Sequence, residues 1–123
     1  MIKFGTGGWR AEIGKDFTYE NVEIIVKSII ALEMKQEHRS PIAIGYDNRF
    51  LSKEMAAFAG NIFRRYGITT YEFEESVPTP LLMFAVKEKG FNFGIMITAS
   101  HNPYNYNGIK LIVKGGLDAP KEI

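Results

Sequence analysis

The sequence predicts an α/β fold: a mixed, mostly parallel sheet covered by helices, with one antiparallel strand at its end. Two observations carry this. Short apolar runs, PIAIGYD, ITTYEFE, FNFGIMI and NGIKLIV, alternate with longer stretches of helical period, the pattern of strands joined by crossover helices. The final two runs are separated only by the SHNPYNY loop, too short for a crossover, so they pair as antiparallel neighbours.

Each element has its own justification. Thr18 is placed to cap a first helix whose apolar positions Val22, Ile25, Val26, Ile29 and Leu32 share one face, and Ser40 and Pro41 stop it. PIAIGYD follows as a short buried strand. Ser52 then caps a second helix with Met55, Ala59, Ile62, Phe63 and Tyr66 inward and Gly67 as its stop. After ITTYEFE, Thr79 followed by Pro80 reads as a cap with proline at the first helical position, which starts a third, shorter helix ending near Gly90. FNFGIMI and NGIKLIV complete the sheet, and KGG ends the pattern.

Composition narrows the function. The 123 residues suffice for one compact core, so a single domain over residues 1–123 is expected. Fifteen Lys and Arg against fourteen Asp and Glu leave a net charge of +1, which supplies no general nucleic-acid footprint. With no cysteine there are no disulfides, thiolate metal sites or thiol nucleophiles. MIKFGTGGWR lacks the apolar segment of a signal peptide, and no stretch approaches the roughly 18 residues of a membrane span. A cytoplasmic protein with neither nucleic acid nor membrane as partner is expected. The chain stops soon after LDAPKEI without a closing helix, as a piece of a longer polypeptide would.

The candidate site is TASHNP. In open α/β sheets ligands collect at the carboxyl ends of strands, and FGIMI delivers Ser100, His101 and Asn102 to such an end. A serine there is a nucleophile, a phosphate carrier or a turn former. A hydrolase reading lacks the Gly-x-Ser-x-Gly elbow. A zinc reading has only His38 and His101 to draw on. Phosphate chemistry accommodates more residues: Lys110 on the next strand offers a cation, Asn102 and the loop amides offer donors, and GTGGWR joins glycines 5, 7 and 8 to the planar fork of Arg10. Taken singly, Lys110 also reads as a solvated edge-strand lysine and GTGG as a tight turn.

Together, FGTGGWR, GYDNR at 45–49, VPTP at 77–80 and GIMITASHNPYNYNGIK at 94–110 resemble, in this order over nearly the whole chain, the α-D-phosphohexomutase family of phosphoglucomutases and phosphomannomutases. The resemblance implies a three-layer α/β/α sandwich of the family's domain I type, with the remaining family domains absent from this chain. It implies that Ser100 carries a phosphoryl group and donates it to a hexose monophosphate. The serine then recovers one from the hexose 1,6-bisphosphate that forms, which also serves as activator, so phosphate moves between C1 and C6. It further implies Mg²⁺ bound to the Ser100 phosphate, with its other ligands in an absent domain.

By the same resemblance Arg10 and Lys110 stabilise phosphoryl oxygens, and Thr6, Gly7, Gly8 and Asn102 line the phosphate site. His101 is expected either to assist proton transfer or to orient the loop. GYDNR is read as scaffold, with Asp47 and Arg49 holding the serine loop through an Asp-to-loop hydrogen bond or an ion pair. Two positions depart from the family's usual opening: Gly7 stands where a serine is usual and Ala11 where a glycine is. The chain alone is expected to fold without catalysing mutase turnover. The rival expectation is a stand-alone phosphate or sugar-phosphate binding module.

Overall fold

The computed structural model describes residues 8–120. Its elements run β1 (Trp9–Glu12), α1 (Tyr19–Met34), β2 (Ile42–Tyr46), α2 (Ser52–Arg65), β3 (Thr70–Glu72), α3 (Thr79–Lys89), β4 (Phe93–Ile97), β5 (Tyr106–Val113) and β6 (Leu117–Asp118). The strands form one sheet in the order β1-β5-β4-β2-β3, with β6 also on β5. β2 pairs in parallel with β3 and β4, whereas β5 runs antiparallel to β4, β1 and β6. Only β5 is reversed, and it lies inside the sheet rather than at its end. Two strands escaped the sequence reading, β1 within the glycine-rich opening and β6 after KGG. β6, of two residues, is too brief to show a period, and the four residues of β1 directly follow a glycine run that reads as a turn.

Pleating sends alternate residues of each strand to opposite faces. Ile42 and Ile44 of β2, Phe93, Ile95 and Ile97 of β4, and Ile109 and Leu111 of β5 join Val22, Ile25, Val26 and Ile29 of α1 and Met55, Ala59, Ile62 and Phe63 of α2 in one core. Ala43, Met96 and Ile112 face Leu82 and Val86 of α3. Two helices on one face and one on the other make the three layers, and β2 and β4 read as continuous apolar runs because both their faces are covered. The register sets Ile95 between Ile44 and Leu111. A one-residue slip would turn that row to the other face, so the pattern fixes the pairing.

The caps differ from expectation in instructive ways. Thr18 caps α1, accepting the Asn21 amide at 3.2 Å. The helix stops at Met34, before Ser40, and Leu32 is only partly buried. Ser52 is not a cap: it is the first residue of α2, behind Leu51 in a left-handed conformation, and its hydroxyl is used elsewhere. Thr79 is likewise the first residue of α3, with Pro78 at the cap position and Pro80 one place later than expected. Tyr66 lies past the end of α2 and is exposed, while Gly67 and Gly90 adopt the positive φ that ends each helix. On the solvent side of α1, a hydrogen bond from Lys27 at 2.8 Å holds the Glu23 carboxyl below its ordinary range.

One polar cluster sits at the far end of the sheet. Glu33 of α1 is 0% exposed, and its carboxylate accepts the Ser40 amide at 3.0 Å and the Asn92 amide group at 3.2 Å. These bonds join the end of α1 to the segments entering β2 and β4. Replacing Glu33 by alanine takes the acceptor from the part-buried Ser40 amide and leaves Asn92 Nδ2 with the His38 carbonyl at 2.7 Å, and an unmade buried bond costs roughly 1–3 kcal/mol. Urea unfolding of Glu33→Ala is expected to show about 2–3 kcal/mol of destabilisation.

Candidate functional site

The site lies where β2 and β4 end and β5 begins. After Ile97, Thr98 stays in the sheet by donating its amide to the Gly108 carbonyl, 2.9 Å. The chain then turns. Thr98 Oγ1 accepts the Ser100 amide at 3.0 Å, and the Asn102 amide reaches the Ala99 carbonyl at 3.0 Å. Ser100 is held at φ 54 and is exposed, as is His101, while Asn102 is half-buried. A non-glycine residue at positive φ costs roughly 1–2 kcal/mol, so the loop contacts outweigh a local preference in order to turn this serine outward.

Arg10, on β1, donates from Nη2 to Ser100 Oγ at 3.3 Å. Its placement depends on how closely β1 approaches β5. Arg10 is opposite Gly108 in the ladder, and a Cβ built on Gly108 would fall 2.0 Å from the Trp9 carbonyl oxygen. Gly8, at φ +133, is equally confined, with an added Cβ 2.4 Å from the Ile109 carbonyl oxygen. Glycine at both positions lets the strands close and brings the guanidinium over the serine.

Below the loop lies a network that spacing alone does not reveal. Arg49 donates to the carbonyls of Ser100 and Asn102 through Nη2, both at 2.6 Å, and to those of Pro103 and Tyr106 through Nη1 at 2.7 and 3.1 Å. Asp47 holds Arg49 in turn: Oδ1 accepts the Arg49 amide at 2.9 Å and the Ser52 hydroxyl at 2.7 Å, and Oδ2 faces Arg49 Nε at 3.7 Å. Ser52 Oγ accepts from Asn107 Nδ2 at 2.8 Å, which also donates to the Phe50 carbonyl at 3.0 Å, and Asn107 Oδ1 accepts the Gly108 amide at 2.8 Å. Ser52 and Asn107 are both 0% exposed. Of the two expected arrangements, the Asp47–Arg49 ion pair is present at 3.7 Å, whereas the bonds to the loop itself come from Arg49, with the aspartate one step behind. Asn107 and Ser52 were missed as site support. Their only signal is an asparagine and a serine at positions otherwise suited to core residues.

Lys110 stands apart from this network. It projects to the α3 face of β5, and its Nζ meets Asp118 Oδ1 at 3.1 Å. The strand that carries Asp118 is one the sequence reading did not foresee. Thr6 and Gly7 lie outside the described residues. The structure thus brings Arg10, Ser100, Asn102 and Arg49 together at one sheet end, with Gly8 packed beneath β1's approach and His101 on the exposed rim.

Among the described residues no group of three or more His, Cys, Asp or Glu side chains could hold a metal ion. Asp47, the carboxylate tied to the loop, is committed to Arg49 and Ser52. The described residues do not by themselves supply a donor set that fits Mg²⁺. Among the described residues no helix is long and apolar enough to cross a membrane.

Comparison with known proteins bears on this geometry. Residues 1–123 match the family model described as phosphoglucomutase/phosphomannomutase, alpha/beta/alpha domain I. The chain is 40% identical over 118 residues to the phosphoglucomutase of Staphylococcus aureus, covering 94% of this chain and 21% of that protein. It is 39% identical over 116 residues to a "Probable phosphoribomutase" of Schizosaccharomyces pombe, covering 89% and 20%. A Thermus thermophilus protein assigned as a phosphomannomutase superimposes with a TM-score of 0.86 at 30% identity, over 98% of this chain and 28% of that one. The chain spans about a fifth of the length of the curated relatives it matches.

Proposed function

The chain belongs to the phosphoglucomutase/phosphomannomutase family as its α/β/α domain I, and from that premise we propose that it supplies the phosphoryl-carrying serine of a phosphohexomutase. The observation that carries this reading is Ser100, turned outward at φ 54 at the end of β4 with the Arg10 guanidinium on its hydroxyl. A plain turn can also take positive φ, as Leu51 does, but a turn-forming serine has no need of a guanidinium on its hydroxyl.

In this reading the phosphate on Ser100 Oγ passes to the unphosphorylated hydroxyl of a hexose monophosphate. The P–Oγ bond breaks, a P–O bond to the sugar forms, the sugar hydroxyl proton leaves to a base, and the released serine oxygen takes up a proton to regenerate the hydroxyl. His101, on the rim, is the group of this chain nearest in sequence to take up that proton, or else it orients the loop. The bisphosphate then returns its other phosphoryl group to Ser100, so hexose 1-phosphate and 6-phosphate interconvert. Phosphoryl transfer depends mainly on positioning and charge neutralisation. Arg10 provides a fork matched to phosphoryl oxygens, and Asn102 and the loop amides add donors. The Ser100 phosphate would be one ligand of a Mg²⁺ ion, which would supply charge neutralisation; its carboxylate ligands are assigned to the remaining family domains, since among the described residues no carboxylates cluster to hold a metal. The sugar-selecting surface and the distal phosphate site are assigned to the remaining family domains.

Lys110 is assigned to this machinery by the family resemblance: its Nζ, now 3.1 Å from Asp118, would have to leave that partner for the roughly two negative charges that phosphorylation adds. Lys110→Met is expected to lower kcat by about a hundredfold, the scale of losing one preorganised donor, with KM little changed. An unchanged kcat leaves Lys110 as the structural partner of Asp118. The reading as a whole is tested by substituting this chain for the matching segment of the S. aureus phosphoglucomutase and assaying glucose 1-phosphate conversion with Mg²⁺ and glucose 1,6-bisphosphate. Turnover that requires Ser100 supports it. A folded chimera that binds sugar phosphate without turnover favours the binding-module alternative.

A further inference from the structure

We propose that Arg49 is a positioning residue whose guanidinium sets the backbone of the serine loop, so that Ser100 is presented in its left-handed conformation before any ligand arrives. This rests on the reading of Ser100 as the phosphoryl carrier.

Four carbonyl oxygens, those of Ser100, Asn102, Pro103 and Tyr106, converge on one side chain. Their dipoles repel one another unless a cation stands at the focus, and a flat fork with donors on both terminal nitrogens is the side chain that can serve all four at once. The remaining donor, Nε, faces Asp47, so the guanidinium is engaged on every side. Lysine has three donors on a single nitrogen and cannot reproduce the pattern.

Besides its own turn bonds and the Ile13 amide on the Asn105 carbonyl at 2.8 Å, the loop draws little from packing. Ser100, His101, Pro103, Tyr104 and Asn105 are exposed, and Tyr104 is 89% exposed, so apolar burial does not order this turn. Among the described residues two non-glycines adopt positive φ, Leu51 at 70 and Ser100 at 54. Leu51 follows Arg49 by two residues, and Ser100 contributes one of the carbonyls that Arg49 holds. Backbone strain of this kind persists only where its surroundings over-determine it, and here both strained residues flank the same clamp.

The clamp is itself grounded. Asp47 fixes Arg49 and Ser52, and Ser52 reaches Asn107 at the start of β5. Side chains after β2, at the start of α2 and on β5 therefore set one loop after β4. Arg49 touches no core side chain through these bonds, so its removal acts on the loop rather than on the sheet.

Amide hydrogen exchange on this chain provides the test, with Arg49→Lys and Arg49→Ala compared with wild type. The amides of Asn102 and Tyr106, which close the loop, are expected to exchange at least about tenfold faster in both variants, while amides of β4 stay within about twofold. In the S. aureus chimera both variants are expected to lose about a hundredfold in kcat, the scale of a small misplacement, with KM within about threefold. Arg49→Lys matching wild type in loop exchange and kcat overturns the proposal, as does faster exchange spread evenly through β2 and β4, which marks a residue that merely holds the fold. If the wild-type chimera itself shows no turnover, the phosphoryl-carrier reading falls, and loop exchange still decides the role of Arg49.

Discussion

Ser100→Ala is expected to abolish mutase turnover while leaving the fold intact. The hydroxyl is exposed and its side-chain contact is the 3.3 Å bond from Arg10, so its loss removes no packing. Alanine must take up the same positive φ, a cost roughly equal to that of serine, and the Arg49 bonds go to backbone carbonyls that alanine retains. Stability should therefore change by well under about 1 kcal/mol. Activity should fall on the order of 10⁴-fold or more, since removing the nucleophile of a covalent mechanism leaves only positioning and electrostatics. The check is to measure kcat in the S. aureus chimera beside urea unfolding of the same variant. Lost activity accompanied by lost stability would point to a structural serine instead.

The second large effect is on the fold. Gly108→Ala drives a Cβ to 2.0 Å from the Trp9 carbonyl oxygen and 2.8 Å from Arg10 Cα. Both obstacles are backbone, so no side chain can swing aside. β1 must move off β5, and it carries Trp9, which is 3% exposed and stacks on Phe17 with ring centroids 5.6 Å apart. Overpacking commonly costs roughly 1–3 kcal/mol when side chains can adjust, so about 3 kcal/mol or more is expected where none can. Because β1 also bears Arg10, the variant should lose the guanidinium contact to Ser100 as it loses stability. A midpoint within error of wild type in urea unfolding would mean that β1 and β5 are not so closely packed.

The long elements were legible because their causes are local. α1, α2 and α3 announce themselves through apolar spacing, and β2, β4 and β5 through apolar runs bounded by turn residues. Caps were harder, since Thr18, Ser52 and Thr79 all have the same chemistry in the sequence. Only Thr18 is spent on a helix end, because Ser52 is drawn away by Asp47 and Asn107. β1 was hidden behind the glycine run that precedes it and β6 by its two-residue length, and with β6 went Asp118, the partner of Lys110. The serine loop stood out through its polar residues after an apolar strand. Its support was legible in part: GYDNR pointed to Asp47 and Arg49, but the four-carbonyl grip of Arg49, 51 residues from Ser100, and the joining of Ser52 and Asn107 to it are products of the β2-β4-β5 order.

The claim that organises this account is that Ser100 carries the phosphoryl group. It is tested most directly by incubating the chimera with glucose 1,6-bisphosphate and Mg²⁺ and locating covalent phosphate by intact mass and peptide mapping. The expected result is the mass of a single phosphoryl group on the peptide containing Ser100, passed to glucose 1-phosphate when that sugar is added in excess after the free bisphosphate has been removed. Phosphate on Ser28, Ser40, Ser52 or Ser76 instead, or none on this chain while turnover proceeds, would contradict it.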